Sequence, residues 1–184
     1  MTKRRFSRND WVALGLAELS ARGPEGVKLE AICTAAGLTR GSFYHHFRGH
    51  EGFLAALAQR WRDAQTTELA EALDTTAPPA DQSAALTDAA LEIDYRLELG
   101  IRELGRRVPA IAVIIREADA ARLAVLSALY RQRYGLDASS ADDLAYIEYA
   151  AFSGVILLDP EMPEARQRAL AGLFDTMIGK ALRQ

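Results

Sequence analysis

The sequence predicts an all-α fold of about nine helices, a small three-helix head followed by a larger helical body. Three observations carry this. Nearly every segment of the 184 residues places apolar side chains at helical spacing, with Gly and Pro at the breaks. No segment alternates as a half-buried strand would. The charge is also uneven: residues 1–50 hold eight basic and four acidic side chains, net +4, whereas residues 51–184 hold 14 basic and 21 acidic, net −7. His45, His46 and His50, the three histidines, all lie in the head. A basic head on an acidic body suits a chain that meets a polyanion at one end.

Composition narrows the class. Apolar residues at 49% and charged residues at 26% are the mix of a globular chain, not a disordered one. No apolar run approaches the ~20 residues that span a bilayer. The first residues, MTKRRFSRND, are basic but no apolar stretch follows, so no signal peptide and no membrane partner are expected, and the cytoplasm is the expected location. Cys33 is the single cysteine, which excludes an intramolecular disulfide and a multi-cysteine metal site. No cofactor is expected.

Helix 1 is predicted from about Arg8 to Arg22, capped by Ser7 with Asp10 three residues on. Trp11, Val12, Leu14, Leu16 and Leu19 form its apolar face, and Gly23, Pro24 and Gly26 stop it. A short helix from Lys28 to Ala36 turns Leu29, Ile32 and Cys33 inward. Gly37 ends it, and Thr39 caps a third helix, Arg40 to Phe47, about eight residues long. Two short helices joined by a tight turn containing Gly make a helix-turn-helix. A longer helix runs from His50 to Leu73 with Phe53, Leu54, Leu57 and Trp61 at helical spacing, and Thr75 to Asp81 is expected to be a loop. Ser83 to Gly100 reads as one helix and Arg102 to Val108 as a connector. Pro109 opens a long helix to Tyr134, ended by Gly135. Ser140, with Asp143, is expected to cap the next helix, which Asp159-Pro160 closes. Pro163 opens the last helix, to about Leu182.

In the third helix, Phe43 and Phe47 are four apart and face the head's core with Leu38 and Ile32. Arg40 and Tyr44 then face outward. Gly41 and Ser42 are small enough for close approach to a major groove. Ser42 can bond a base edge or a phosphate, Tyr44 offers a hydroxyl and a ring, and Arg40 suits guanine or phosphate. His46 has two readings, packing with a backbone bond or reading a base. Lys3, Arg4 and Arg5 read as a solvated tail or as a basic arm on phosphate or in the minor groove.

The stretch Gly37 to Phe47 reads GLTRGSFYHHF. With Gly23, Ile32 and Ala36 before it and Phe53 and Leu54 after it, it resembles the tetracycline-repressor (TetR/AcrR) family of bacterial regulators over roughly residues 8–57. The resemblance implies DNA contacts at Thr39, Arg40, Gly41, Ser42, Tyr44, His45 and His46. The family often has Ser or Thr capping helix 2 where this chain has Lys28, which can reach a phosphate but cannot cap, so that helix end is expected to fray. It often has Lys where this chain has His50. Both positions are carried as DNA-facing. The resemblance further implies a sequence-specific transcriptional regulator, a homodimer on operator DNA, acting as a repressor that a small-molecule effector relieves. A ligand-independent or activating regulator is the alternative. The expected division is a helix-turn-helix DNA-binding domain at 1–49 and an effector-binding and dimerisation domain at 50–184.

The segment ADDLAYIEYAAFSGVILL, residues 141–158, has Glu148 as its only strongly polar side chain after Asp143, so most of its circumference must be covered. The last helix carries a wide stripe through Ala169, Leu170, Leu173, Phe174, Met177, Ile178, Ala181 and Leu182, with Arg183 off it. Leu144, Ala151, Phe152, Val155, Leu170, Phe174, Met177 and Ile178 are the candidate dimer contacts; the alternative is that both helices fill a monomeric core. Trp61, Tyr95, Glu98, Arg102, Tyr130 and Tyr149 are candidate effector contacts by type and location. The spacing of Glu98 and Arg102 reads as a surface ion pair. An enzyme is the rival class, but no nucleophile–base set forms without the head histidines, and no HExxH, Walker A or GxGxxG occurs. No catalytic residue is assigned.

Overall fold

The computed structural model describes residues 6–182, so the basic arm of Lys3, Arg4 and Arg5, and Arg183 near the other end, lie outside the described residues. The described residues are predominantly helical, with no strand among them. Nine helices follow in order: α1 Arg8–Arg22, α2 Leu29–Ala36, α3 Arg40–Tyr44, α4 His50–Arg62, α5 Pro79–Leu91, α6 Tyr95–Gly105, α7 Pro109–Tyr134, α8 Ala138–Leu158 and α9 Glu164–Ala181. A 3-10 turn, Gly23–Val27, joins α1 to α2. α4 continues through a π-helical turn, Asp63–Thr67, into a last α-helical stretch, Glu68–Ala72.

Packing divides the chain into two compact units. The first holds Met1–Gln65 with Asp94–Ala118, the second Thr66–Ile93 with Asp119–Gln184. The expected division at residue 50 is one of labour, and these units are defined by packing alone.

The first unit begins with a capping box. The Ser7 hydroxyl accepts from the Asp10 amide at 3.2 Å, and the Asp10 carboxylate accepts from the Ser7 amide at 2.8 Å. At the N-terminus of α2, Lys28 provides no side-chain cap, as expected. Its carbonyl accepts from the Ile32 amide at 2.9 Å and its amide donates to the Glu25 carbonyl, so the 3-10 turn leads straight into the helix. Gly37 takes the left-handed conformation, φ 62° and ψ 30°. Its amide donates to the Thr34 carbonyl and the Leu38 amide to the Cys33 carbonyl, both at 3.0 Å, which is a Schellman ending. Thr39 then caps α3 by accepting from the Ser42 amide at 3.2 Å.

α3 is shorter than expected. It ends at Tyr44 because the His46 amide bonds back three residues, to Phe43 at 2.9 Å, and the chain tightens into a turn before Phe47. Three other expectations are corrected. Residues 79–81 are helical, since Pro79 sits in the first turn of α5 where its missing amide costs nothing. Ser83 to Gly100 is two helices: Asp94 accepts from the Leu97 amide at 3.0 Å and starts α6, which runs on through the expected connector to Gly105. The cap of α8 is Asp137, whose carboxylate takes both the amide and the hydroxyl of Ser140, at 3.1 and 2.7 Å.

An aromatic cluster fills the first unit. Trp11 and Phe43 meet edge-to-face at 5.4 Å, Phe43 and Phe53 at 5.2 Å, and Phe47 closes against both Phe43 and Phe53 at 5.1 Å. Ile32, Leu19, Leu57 and Trp61 complete the buried layer. Gly15 lets α4 press against α1. A methyl group there would stand 2.6 Å from Phe53 Cζ and 2.7 Å from Leu57 Cδ2. Both side chains are fully buried, so making room means repacking the core around them. Gly15→Ala is therefore expected to cost about 1–3 kcal/mol by overpacking, read as a lower urea midpoint with an unchanged helical spectrum in the folded state.

Candidate nucleic-acid interface

The capped start of α3 and the two buried phenylalanines fix which side of that helix faces water. Phe43 and Phe47 point inward. Tyr44 follows Phe43 by about 100° around the helix and so turns out to solvent, where it is 52% exposed with its ring edge-on to Phe43 at 5.5 Å. Arg40, Gly41 and His45 are exposed beside it, with Ser42 and His46 half-buried. The rings of His45 and His46 meet at 5.0 Å. Thr39 is exposed at the start of the helix, its hydroxyl engaged as the cap. The structure thus brings Thr39, Arg40, Gly41, Ser42, Tyr44, His45 and His46 to one short element.

Two other DNA-facing candidates have partners inside the head. His50 is half-buried at the start of α4, and its Nε2 lies 2.7 Å from the Val27 carbonyl. A carbonyl only accepts, so Nε2 carries the proton and the ring ties α4 to the turn before α2. Lys28 is exposed and pairs with Glu25 at 2.5 Å. Arg40 pairs with Glu30 of α2. The sequence reading gave Glu30 no role. Its signal was an acid in the first turn of helix 2 facing a base in the first turn of helix 3, which becomes legible only once the joint between them is known. Burial pushes the Cys33 thiol up, more than the Arg40 charge draws it down, and so keeps this cysteine in its thiol form.

An outward reading face on the second helix of a helix-turn-helix is the geometry of a major-groove reader. Residues 12–57 match the sequence model described as bacterial regulatory proteins, tetR family. The chain carries a tetR-family head. The folds of solved regulators agree over nearly the whole length. A transcriptional regulator from Rhodococcus shares 20% identity with a TM-score of 0.80, covering 96% of each chain. A Saccharomonospora viridis regulator solved in complex with choline shares 16% identity with a TM-score of 0.80, covering 91% of this chain and 94% of its own. A Pseudomonas aeruginosa regulator shares 21% identity with a TM-score of 0.77, covering 96% and 92%. No curated protein matches the chain by sequence. No helix among the described residues is long and apolar enough to cross a membrane.

Behind the tetR-family head, four candidate effector contacts lie in the first unit. Trp61 donates through Nε1 to Glu98 Oε2 at 3.0 Å, and Arg102 donates through Nε to Glu98 Oε1 at 2.8 Å. Tyr95 is buried one turn earlier on α6. The expected surface pair of Glu98 and Arg102 is corrected here. Glu98 is 2% exposed, and a carboxylate so deep has its lost water contacts replaced by these two donors.

The other two lie in the second unit. Tyr149 donates to Asp119 at 2.7 Å and accepts from Arg122 at 3.0 Å, while Arg122 also donates to Thr66 at 3.1 Å. Tyr130 donates to Glu148 at 3.0 Å. The dimer candidates are also there. Leu144, Phe152, Val155, Leu170, Phe174 and Ile178 are half-buried, and Ala151 and Met177 are exposed. Ile147, Leu157, Leu158 and Leu173, which are not among those candidates, are also large, apolar and exposed, with Leu158 at 86%.

Burial raises the Glu148 carboxyl above the usual carboxylate range, with Asp175 adding to it against the Tyr130 hydrogen bond and the Arg133 charge. The folded chain therefore binds this proton more tightly than the unfolded one, and stability falls as pH rises from below the unfolded value through the raised one. Glu148→Gln keeps an acceptor for Tyr130 and removes the buried charge. It is expected to raise the melting temperature at pH 8, with the gain shrinking as pH is lowered to 4; a gain that does not depend on pH would contradict this.

Proposed function

We propose that this chain is a sequence-specific transcriptional regulator that binds operator DNA as a homodimer, represses, and is released by a small molecule. The single observation that carries the reading is the outward face of α3. Tyr44, Arg40, Gly41 and His45 stand together in solvent, with Ser42 half-buried among them, on an element whose other face is locked into an aromatic core. In this role Arg40 and Ser42 read base edges, Tyr44 meets phosphate or a thymine methyl, and Thr39, Lys28, His45, His46 and His50 sit at the edges of the footprint.

The second unit supports the dimer. On α8, Ile147, Ala151, Gly154 and Leu158 recur at helical spacing, and Leu173 and Met177 of α9 are exposed one turn apart. Apolar faces of this extent on two helices call for a partner surface, and a second copy offers the same faces in return. The division of labour follows, with DNA reading in 1–49 and effector binding and dimerisation in 50–184. Two groups of side chains are candidates to meet the effector: Trp61, Tyr95, Glu98 and Arg102 in the first unit, and Tyr130 and Tyr149 in the second. The choline complex of a similarly folded regulator supports a small organic molecule as the effector class. No enzymatic role is assigned, and the working location is the cytoplasm.

Tyr44→Ala and Arg40→Ala are expected to weaken binding to a selected duplex at least tenfold each with the melting temperature within a few degrees of wild type, since both side chains project from the fold. Light scattering at micromolar concentration is expected to give twice the chain mass. Met177→Glu, a charge on an exposed seam position, is expected to give folded monomers that bind the duplex weakly. Wild-type monomers, or full affinity in both α3 variants, would sink the reading.

A further inference from the structure

Glu30 stands in the first turn of α2, and its carboxylate accepts from Arg40 at the first position of α3, ten residues on. The two side chains meet across an open hollow between the helices, lined also by Cys33, Thr34, Leu38 and Thr39. The pair is not one that a single helix would form. It exists because the Gly37 ending and the Thr39 cap set the start of α3 beside the start of α2. Side-chain exposures of 59% for Arg40 and 80% for Glu30 leave both in solvent, so the pair is weak and open to exchange.

A weak internal partner on a DNA-facing arginine has a definite consequence. In the free head the carboxylate gives the guanidinium what a phosphate would give, an anionic oxygen acceptor. A random duplex offers Arg40 only another such oxygen, and moving to it leaves the Glu30 charge unpaired beside the DNA backbone. A guanine at the right step offers O6 and N7 together, which the planar guanidinium matches with two parallel donors. The exchange is then worthwhile only at the correct base. Resting on the DNA-reading assignment above, we infer that Glu30 is a specificity-determining residue, which withholds Arg40 from phosphate and releases it to a base edge. It acts through Arg40 as a positioning residue. Lys28 provides the contrast: its partner Glu25 lies three residues away in the same segment, and an ammonium is a point charge with no base-matching geometry.

The test uses two probes, a duplex recovered from a randomised pool by selection on the wild-type protein, and a scrambled duplex of the same composition. Affinity for each is measured across a salt series for wild type, Glu30→Gln, Arg40→Ala, the double variant and Glu25→Gln. Glu30→Gln is expected to tighten the scrambled duplex about fivefold and the selected one less than about twofold, lowering their ratio, because Arg40 is then free to pair with phosphate on any sequence. Its salt slope on scrambled DNA steepens by about one phosphate contact, ~0.9. In the Arg40→Ala background the same change leaves the ratio where it was, because no guanidinium remains to be released. Glu25→Gln shifts both duplexes alike. If the selected duplex is preferred by wild type and Glu30→Gln keeps the full ratio, the inference is overturned and the DNA-reading assignment stands. A ratio that falls equally in the Arg40→Ala background also overturns it, in favour of plain repulsion by Glu30. If selection yields no preferred duplex, both fall together.

Discussion

The edge-to-face packing of Trp11, Phe43 and Phe53 is the constraint on which the rest of the first unit depends. It joins α1, α3 and α4 through three rings, each fully buried. A helix as short as α3 has too few hydrogen bonds to be stable alone. Its existence rests on Phe43 and Phe47 being held from behind and on Thr39 satisfying an amide at its start. Orientation follows from the same packing. With Phe43 pinned inward, the direction of Tyr44 is no longer free, so the outward face is set by the buried side chains behind it. His50 extends this support, since its bond to Val27 fixes the turn in front of α2 to the start of α4.

Local signals were legible in the sequence and distant ones were not. Ser7 with Asp10, Gly37 and Thr39 each act on neighbours within a few residues, and each does in the structure what its chemistry predicts. The Asp94 break between α5 and α6 was missed because the apolar spacing runs through it, and an aspartate inside a periodic stretch reads as a surface residue. Asp137 caps α8 in place of Ser140, because the carboxylate is the stronger acceptor and takes two donors. Glu98 was misjudged for a deeper reason. Its spacing to Arg102 describes a helix surface, but its burial is set by Trp61, 37 residues away. The Glu30–Arg40 pair was invisible for the same reason, since it depends on the angle of a joint. In the reading face itself, the inward phenylalanines and the outward Tyr44 could be assigned from a four-residue spacing alone.

The second unit is built differently. Its fully buried side chains are mostly small, such as Ala141 and Ala145, and hydrogen bonds do much of the joining. Arg133 of α7 reaches Asp175 of α9 through two bonds, Arg168 of α9 pairs with Asp88 of α5, and Ser127 of α7 donates to Asp142 of α8 at 2.6 Å. Large apolar groups are instead turned outward along α8 and α9. A unit of this kind has less of its stability in its own interior, in keeping with the homodimer proposed above.

The inward anchoring of α3 also bears on how such a head changes over time. Thr39, Phe43 and Phe47 hold the helix, while Arg40, Gly41, Tyr44 and His45 project from it with little packing to lose. In the proposed reading, preference for one DNA sequence or another is carried by side chains that the fold does not need, while the buried anchors Phe43 and Phe47 stay out of reach of DNA. A duplicated copy can drift toward a new operator by single exchanges on the outer face without passing through an unfolded intermediate. The exception is Arg40, whose replacement strands Glu30, so a change at that position favours a second one on the neighbouring helix.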